Sequence, residues 1–346
     1  MGAKGARRRL DRALRVFGYR LYQGPARGRG IYIGPISGRH DTRRPLPPGA
    51  EHYLRRDNPE LLDLEDRYRR MVSPLTDHAV WTGRHRQDGI HLPYFRGDNA
   101  YIWQLRHMGR KAREKYLAYA EYVHGLDHRG LLHELVEDGA FGCWTFDDGR
   151  GRTVSRDLLD SINEMYFLDR TWGLFERKDF TVADIGAGYG RLATHMTRAA
   201  PGLRHYFCLD AVPESTFLSR FYIGFRGCEE KASSVPLDEL DQRLAGVSID
   251  LGVAIHSFSE MSSAAIESWV SRLVRTGARH LLVVSNEADE LFASESGGTR
   301  VDAMPILERH GYRLQAAEPV LRDVVTRRTV GTDNYFLFFE LHERNV

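Results

Sequence analysis

Lysine, cysteine and long apolar runs are all scarce in this chain, and the last two scarcities each close off a class of protein. Of 49 basic side chains among 346 residues, only Lys4, Lys111, Lys115, Lys178 and Lys231 are lysine. Arginine carries the rest, a bias that fits a GC-rich genome better than a function. With 47 acids the formal net charge is only +2, so the whole molecule is not built to hold a polyanion and no nucleic-acid partner is expected. The three cysteines, Cys143, Cys208 and Cys228, form no C-x-x-C pair. An odd, scattered set argues against a disulfide framework and fits a reducing cytoplasm, the expected location. No apolar run approaches the ~18 residues of a membrane span. The N-terminus is charged without the apolar core of a secretion signal, so no stable membrane insertion is expected. The fifteen histidines show no zinc-like grouping with cysteine or carboxylates. No metal site is therefore expected, while a Mg²⁺ held by scattered Asp or Glu would leave no spacing signature and stays open.

What charge there is, is unevenly spread. Residues 1–30 hold nine basic residues against one acid, Asp11. Leu10, Leu14, Phe17 and Leu21 recur at helical spacing, so 7–22 reads as a basic amphipathic helix. Such a face could lie on an anionic membrane, bind nucleic acid, dock on its own domain or stay a free arm. Residues 24–50, rich in Gly, Pro and Arg, read as loop. Helices are expected at 58–72, 109–124, 128–137 and 155–172, with Ser155 as the cap of the last and Asp157 near its positive end. Residues 81–103 look irregular and aromatic.

From Phe180 the rhythm changes to alternating strand and helix, the pattern of a mainly parallel sheet. Strands are expected at 180–185, 204–210, 227–232, 248–254 and 279–285, with helices at 189–199, 213–222, 262–276 and 301–310. Two final strands, 312–320 and 334–342, have no helix expected between them. Three parts follow: an arm and loop over 1–50, a helical region over 51–172 that would cover the site, and an α/β domain over 173–346. A homodimer is compatible with this plan.

Residues 182–190 read Val-Ala-Asp-Ile-Gly-Ala-Gly-Tyr-Gly, and Asp210 ends the next apolar run. Glycine at 186, 188 and 190 lets the strand–helix turn take positive φ and lets a ligand approach the backbone. A nicotinamide fingerprint wants G-x-G-x-x-G; here the third glycine comes one residue early and Arg191 stands in its place. Asp184 would repel a pyrophosphate but suits the ammonium of a methionine moiety. Asp210 can accept from both hydroxyls of a ribose. This acid-x-Gly-x-Gly-x-Gly pattern with a second acid resembles class I methyltransferases. The resemblance implies S-adenosyl-L-methionine (SAM) as cofactor, held by Asp184, Gly186, Ala187, Gly188, Gly190, Asp210 and Ala211. Ser233 and Ser234 would meet the adenine edge or form only a polar loop.

In an open α/β sheet ligands sit beyond the carboxyl ends of the strands. The fourth strand leads into Ile255-His256-Ser257-Phe258-Ser259-Glu260-Met261, the address closest to a transferred methyl group. A hydroxyl acceptor must lose its proton as it attacks, and His is suited to take it near neutral pH. His256 is therefore the candidate base, with Glu260 orienting it or binding the acceptor; a plain backbone-bonding role for His256 is the alternative. The Asn/Asp-Pro-Pro-aromatic pattern of enzymes that methylate nucleobase amines is missing here. Asn286 and Glu287, after the fifth strand, could bond polyol hydroxyls, or Asn286 could cap a turn. Asp98, Tyr101 and Trp103, in an aromatic and amide-rich stretch, have the texture of a sugar site.

Several segments together resemble the sugar O-methyltransferases of bacterial secondary metabolism and surface glycans. They are 94–104, Glu137 to Gly142, Ser155-Arg156-Asp157-Leu158-Leu159-Asp160-Ser161-Ile162, the glycine turn, Ser257 to Met261, and Asn286-Glu287. The likeness covers about residues 93–346. It implies an α/β class I methyltransferase fold: a Rossmann-like, mostly parallel sheet with an antiparallel C-terminal hairpin and a mainly helical N-terminal region. It also implies methylation of a sugar or glycoside hydroxyl, often on a natural product. That family often carries Asn where this chain has His256, which keeps Asp98, His128 and Asp157 as alternative bases. Methylation of a phenol, carboxylate or amine is a competing reading, and a SAM-binding protein without catalysis is another.

Overall fold

The computed structural model describes residues 40–77, 80–97 and 111–342, together with the backbone of 19–23 and 31–35. Seven strands form the central sheet: β1 (Phe180–Ile185), β2 (Leu203–Leu209), β3 (Ala232–Val235), β4 (Leu251–Ile255), β5 (His280–Ser285), β6 (Tyr312–Pro319) and β7 (Tyr335–Leu341). Their order is β6-β7-β5-β4-β1-β2-β3. The pairs β1·β2, β1·β4, β2·β3 and β4·β5 are parallel, while β7 runs antiparallel to β5 and β6. This is a Rossmann-like, mostly parallel sheet with a reversed terminal hairpin. Strand order turns at β1, so the carboxyl ends of β1 and β4 flank the crevice where such sheets bind ligands.

All six residues of β1 are buried, which is why the strand reads as an apolar run rather than an alternation. The faces still separate by period two. Ala183, Ile185, Leu281 and Val283 join one core; Phe180, Val182, Leu282 and Val284 join the other. Helices cover both faces: α1 (Pro59–Arg70), α2 (Ala112–Leu126), α3 (Arg156–Trp172), α4 (Arg191–Ala199), α5 (Pro213–Phe225) and α6 (Ser263–Arg275). Their starts follow local chemistry. Asn58 accepts from Glu60 N at 2.9 Å ahead of α1, Ser155 accepts from Leu158 N at 3.1 Å ahead of α3, and Ser262 caps α6. The helical N-terminal part feeds both cores, with Leu61 and Phe95 in one and Tyr116 and Ile162 in the other.

One ionic cluster joins that part to the sheet. Arg96 is 1% exposed. It donates to Asp157 Oδ2 at 2.9 Å and to Glu137 Oε2 at 2.7 Å and lies 3.5 Å from Asp138. Tyr189, inside the glycine turn, donates its hydroxyl to the same Asp157 oxygen. Glu137 is further held by Ser155 Oγ and by Gly139 N.

Several expected elements differ. The 7–22 helix lies mostly outside the described residues, but Tyr19–Gln23 pairs with Ile31–Pro35 as an antiparallel hairpin, so neither a helix through 22 nor a continuous loop over 24–50 holds. Aromatic and β-branched residues favour that pairing once a partner strand exists. Gly83–Gly89 is helical within the stretch expected to be irregular. The helix expected over 128–137 shrinks to Leu131–Glu134 behind a left-handed Gly130; Asp127 instead caps its amides, at 2.7 and 2.9 Å. The third strand starts later than expected, at Ala232, because Gly227, at φ +64°, turns the chain. A helix, Val324–Val330, capped by Asp323, stands between β6 and β7, where none was expected. A hairpin, Phe292–Ser294 with Arg300–Asp302, precedes the short helix Met304–Arg309. Among the described residues no helix is long and apolar enough to cross a membrane.

Replacing Arg96 by Met would strand Glu137 and Asp157 in the interior without their counter-charge. Equilibrium denaturation should show a loss of about 3–5 kcal/mol; a loss below 1 kcal/mol would mean the cluster contributes little to folding.

Candidate active site

The glycine turn is shaped by contacts that only glycine permits. Gly186 sits at φ +77°, and a Cβ there would lie 2.3 Å from the Ser257 Cβ. Ser257 approaches because its hydroxyl donates to Ile185 O at 2.5 Å, which ties the exit of β4 beneath the exit of β1. Gly186 N donates to Leu209 O at 2.8 Å, and Gly188 N donates to Asp210 Oδ2 at 3.0 Å. Gly190, at φ +81°, opens α4. The three glycines, Ala187, Asp210 and Ala211 thus form one continuous rim at the ends of β1 and β2.

Both acids of this rim are unusual. Asp210 is buried and takes amides on both oxygens, Gly188 N on one and Val212 N at 2.8 Å on the other. Burial still pushes it up to about 7, helped by the neighbouring Glu214. Asp184 accepts the Tyr206 hydroxyl on Oδ2 at 2.8 Å. Its Oδ1 is buried with no hydrogen-bond partner among the described residues. Burial, with repulsion from Glu164 and Asp210, raises this carboxyl to about 7 against the pull of Tyr206 and Arg191. An orphaned carboxylate oxygen in the interior is costly, and a hydrogen-bond donor from a ligand would satisfy it.

At the end of β4, His256 adopts φ +61°, a conformation that costs a non-glycine residue energy and concentrates at functional sites. Its amide donates to Val284 O at 2.9 Å. The Nδ1 is buried without a partner among the described residues. Burial, assisted by Arg156 and Arg191, holds the ring down at about 4, against Asp160 and a hydrogen bond to Asn286, which favour the protonated ring. His256 lines a small cavity with Tyr119, Asp160, Glu164, Asn334 and Phe336. Within it the Tyr119 hydroxyl donates to Asp160 Oδ1 at 2.8 Å and Arg156 Nε to Asp160 Oδ2 at 3.2 Å. Arg191 grips Glu164 at 2.8 and 2.9 Å, and burial raises Glu164 to about 7. Arg156, Asp160 and Glu164 follow at four-residue steps on one face of α3. As a site signal the Ser155–Ser161 stretch stands in the sequence only as a resemblance; the four-residue spacing that runs on to Glu164 is a readable signal, yet nothing in it tells which strand end the helix faces.

Other expected site residues are placed differently. Glu260 is not among the residues around the His256 cavity; its Oε2 takes Trp81 Nε1 at 2.7 Å, and burial with the Asp210 charge raises it to about 7. Asn286 stands beside His256, whereas Glu287 is paired with Arg300 at 2.7 Å. Ser233 and Ser234 lie inside β3 rather than beyond it, because the strand starts late. Ser233 bonds His205 at 2.8 Å, and Ser234 is bonded by Ser219 at 2.6 Å; the chain leaves the strand at Pro236. Of the alternative bases, Asp157 is locked by Arg96 and Tyr189, and His128 is largely exposed beside Asp169. Asp98, Tyr101 and Trp103 lie outside the described residues. Among the described residues no group of three His, Cys, Asp or Glu is arranged to hold a metal.

No family model and no curated protein matches the chain. Among solved structures it is similar to a SAM-dependent methyltransferase from Aquifex aeolicus, at 14% identity over 64% of this chain and 98% of that one, with a TM-score of 0.38. It is also similar to the magnesium protoporphyrin IX methyltransferase ChlM of Synechocystis, solved with SAM bound, at 13% identity over 55% and 85%, TM-score 0.37. A third is the cyclase SpnF, at 14% identity over 66% and 95%, TM-score 0.39. At these identities the likeness is one of fold.

Gly186→Ala must fit a Cβ against Ser257 at a positive φ, a strain of about 1–3 kcal/mol. Calorimetry should show S-adenosylhomocysteine binding weakened about tenfold or more, since ~1.4 kcal/mol is tenfold. The two acids lose their charge as pH falls through about 7, so the same titration should give weaker binding at pH 6 than at pH 8. Equal affinity at both would show that neither carboxylate needs its charge.

Proposed function

We propose that the chain is a SAM-dependent O-methyltransferase acting on a hydroxyl of a sugar or glycoside, in natural-product or surface-glycan biosynthesis. The observation that carries the cofactor is the unpartnered Oδ1 of Asp184 beside the glycine turn, with Asp210 fixed at the next strand end. Asp184 takes the ammonium of the amino-acid moiety, directly or through water. Asp210 accepts from the ribose hydroxyls, and Gly186, Ala187, Gly188, Gly190 and Ala211 keep bulk out of the path between the two acids. Bound SAM supplies an activated methyl group on a sulfonium.

His256 receives the proton that the acceptor hydroxyl sheds. Held at about 4, the ring is neutral throughout the physiological range, so its lone pair is always available. Asp160, in the same cavity, supports the imidazolium that forms, and Asn286 fixes the ring. The acceptor reading is supported by the polar groups of Tyr119, Asp160 and Asn334 around the His256 cavity and by the motifs that resemble sugar O-methyltransferases. Asp98, Tyr101 and Trp103 would complete the acceptor site, with Glu287 acting through Arg300.

The test is methyl transfer from labelled SAM to a panel of glycosides, nucleotide sugars, phenols and amines, with wild type beside His256→Ala. Label on a glycoside, reduced about a hundredfold in the variant, is the expected result. An undiminished rate would move the base elsewhere. Label on a phenol or amine alone would refute the sugar reading, and tight SAM binding with no transfer to any acceptor would favour a non-catalytic protein. The acid limb of kcat/KM should fall near pH 7, with the cofactor acids, rather than near 4 with His256.

A further inference from the structure

The helix Val324–Val330, set between β6 and β7, is anchored at both ends. Asn163 on α3 donates its Nδ2 to Val320 O at 2.8 Å. The Tyr122 hydroxyl on α2 accepts from Arg322 N at 3.2 Å, and Lys115 donates its Nζ to Val330 O at 3.1 Å. Leu321 and Val330 are buried in the same core as Ile162 of α3. The chain then returns to β7 through Thr332 and Asn334, and both line the cavity that His256 lines. The backbone of Asn334 is tied down there. Its carbonyl accepts from Val320 N at 2.9 Å, and its amide donates to Thr332 Oγ1 at 3.5 Å.

The polar side chains around this cavity are not alike. Tyr119 and Arg156 both bond Asp160, and Glu164 is gripped by Arg191, so these groups already satisfy one another. The half-buried side-chain amide of Asn334 makes no hydrogen bond among the described residues. The insertion's neighbouring contributions, Leu321 and Val330, are apolar, and Thr332 already accepts from the Asn334 backbone. The carboxamide is therefore the principal group with which this wall can hold a ligand.

We propose that Asn334 reads a second hydroxyl on the acceptor, close to the one that meets His256, so that the segment between β6 and β7 decides which polyols are methylated. The assignment rests on the sugar O-methyltransferase reading above. A side-chain amide presents a carbonyl acceptor and N–H donors, and an alcohol hydroxyl both donates and accepts, so either orientation of the amide gives a bond. An acceptor without that hydroxyl displaces water from the amide and returns no partner, which costs binding. Selection by a missing hydroxyl follows from that cost.

The experiment uses the full chain, labelled SAM, and methyl hexopyranosides with their monodeoxy counterparts, in wild type and Asn334→Ala. In the wild type, kcat/KM should fall about tenfold on the deoxy compound that lacks the second hydroxyl. Asn334→Ala should lose about tenfold on the parent glycoside and nothing further on that deoxy compound, because the bond is already missing there. Thermal melting and S-adenosylhomocysteine calorimetry verify the fold and the cofactor site. Asn334→Leu, close to asparagine in size and compatible with Leu321 and Val330, repeats the cycle should alanine loosen the turn. An equal loss on the parent and on every deoxy compound would give Asn334 a purely structural role and overturn the proposal, as would wild-type rates in both variants. Label on no glycoside from the wild-type protein would refute the sugar reading and this inference with it, a result distinct from glycoside methylation that ignores Asn334.

Discussion

The whole arrangement depends on one buried guanidinium. Arg96 gathers Glu137, Asp138 and Asp157 from two separate segments, and Asp157 also takes the Tyr189 hydroxyl from within the glycine turn. Taking such charges out of water is expensive, and a network of this kind is weak evidence for net stability. It enforces uniqueness instead. Any other docking of the helical part would leave at least one charge buried and unpaired, so the cluster permits a single register between the cap and the cofactor turn.

That register sets the electrostatics of the site. Burial moves acids and bases in opposite directions, because a low-dielectric surrounding disfavours whichever form is charged. Asp184, Asp210, Glu164 and Glu260 are all lifted to about 7, while His256 is pressed down to about 4. The result is a set of buried acids poised near neutrality, Glu164 among them in the cavity of His256, whose imidazole is uncharged.

The fold was legible because its signals are local. The apolar run into Asp184, the three glycines and the caps at Asn58 and Ser155 each act within a few residues, and β1, α1 and α3 stand where those signals place them. The misses share a different cause. Tyr19–Gln23 became a strand because a partner at Ile31–Pro35 completes its ladder, and pairing overrides a short helical periodicity. The helix Val324–Val330 carries a clear Asp323 cap and a Gly331 stop, both readable signals that the expectation of a plain hairpin passed over.

The sequence by itself determined the parallel sheet, the cofactor turn and the identity of its two acids, since strand–turn–helix geometry and glycine's freedom at positive φ are properties of adjacent residues. Only the tertiary structure decided who faces whom. It brought Asp160 and Glu164 to His256, turned Glu260 away to Trp81, spent Glu287 on Arg300 and buried Asp157 under Arg96. Those pairings join residues up to 179 positions apart, and the burial that shifts their proton affinities exists only once distant segments have closed over them.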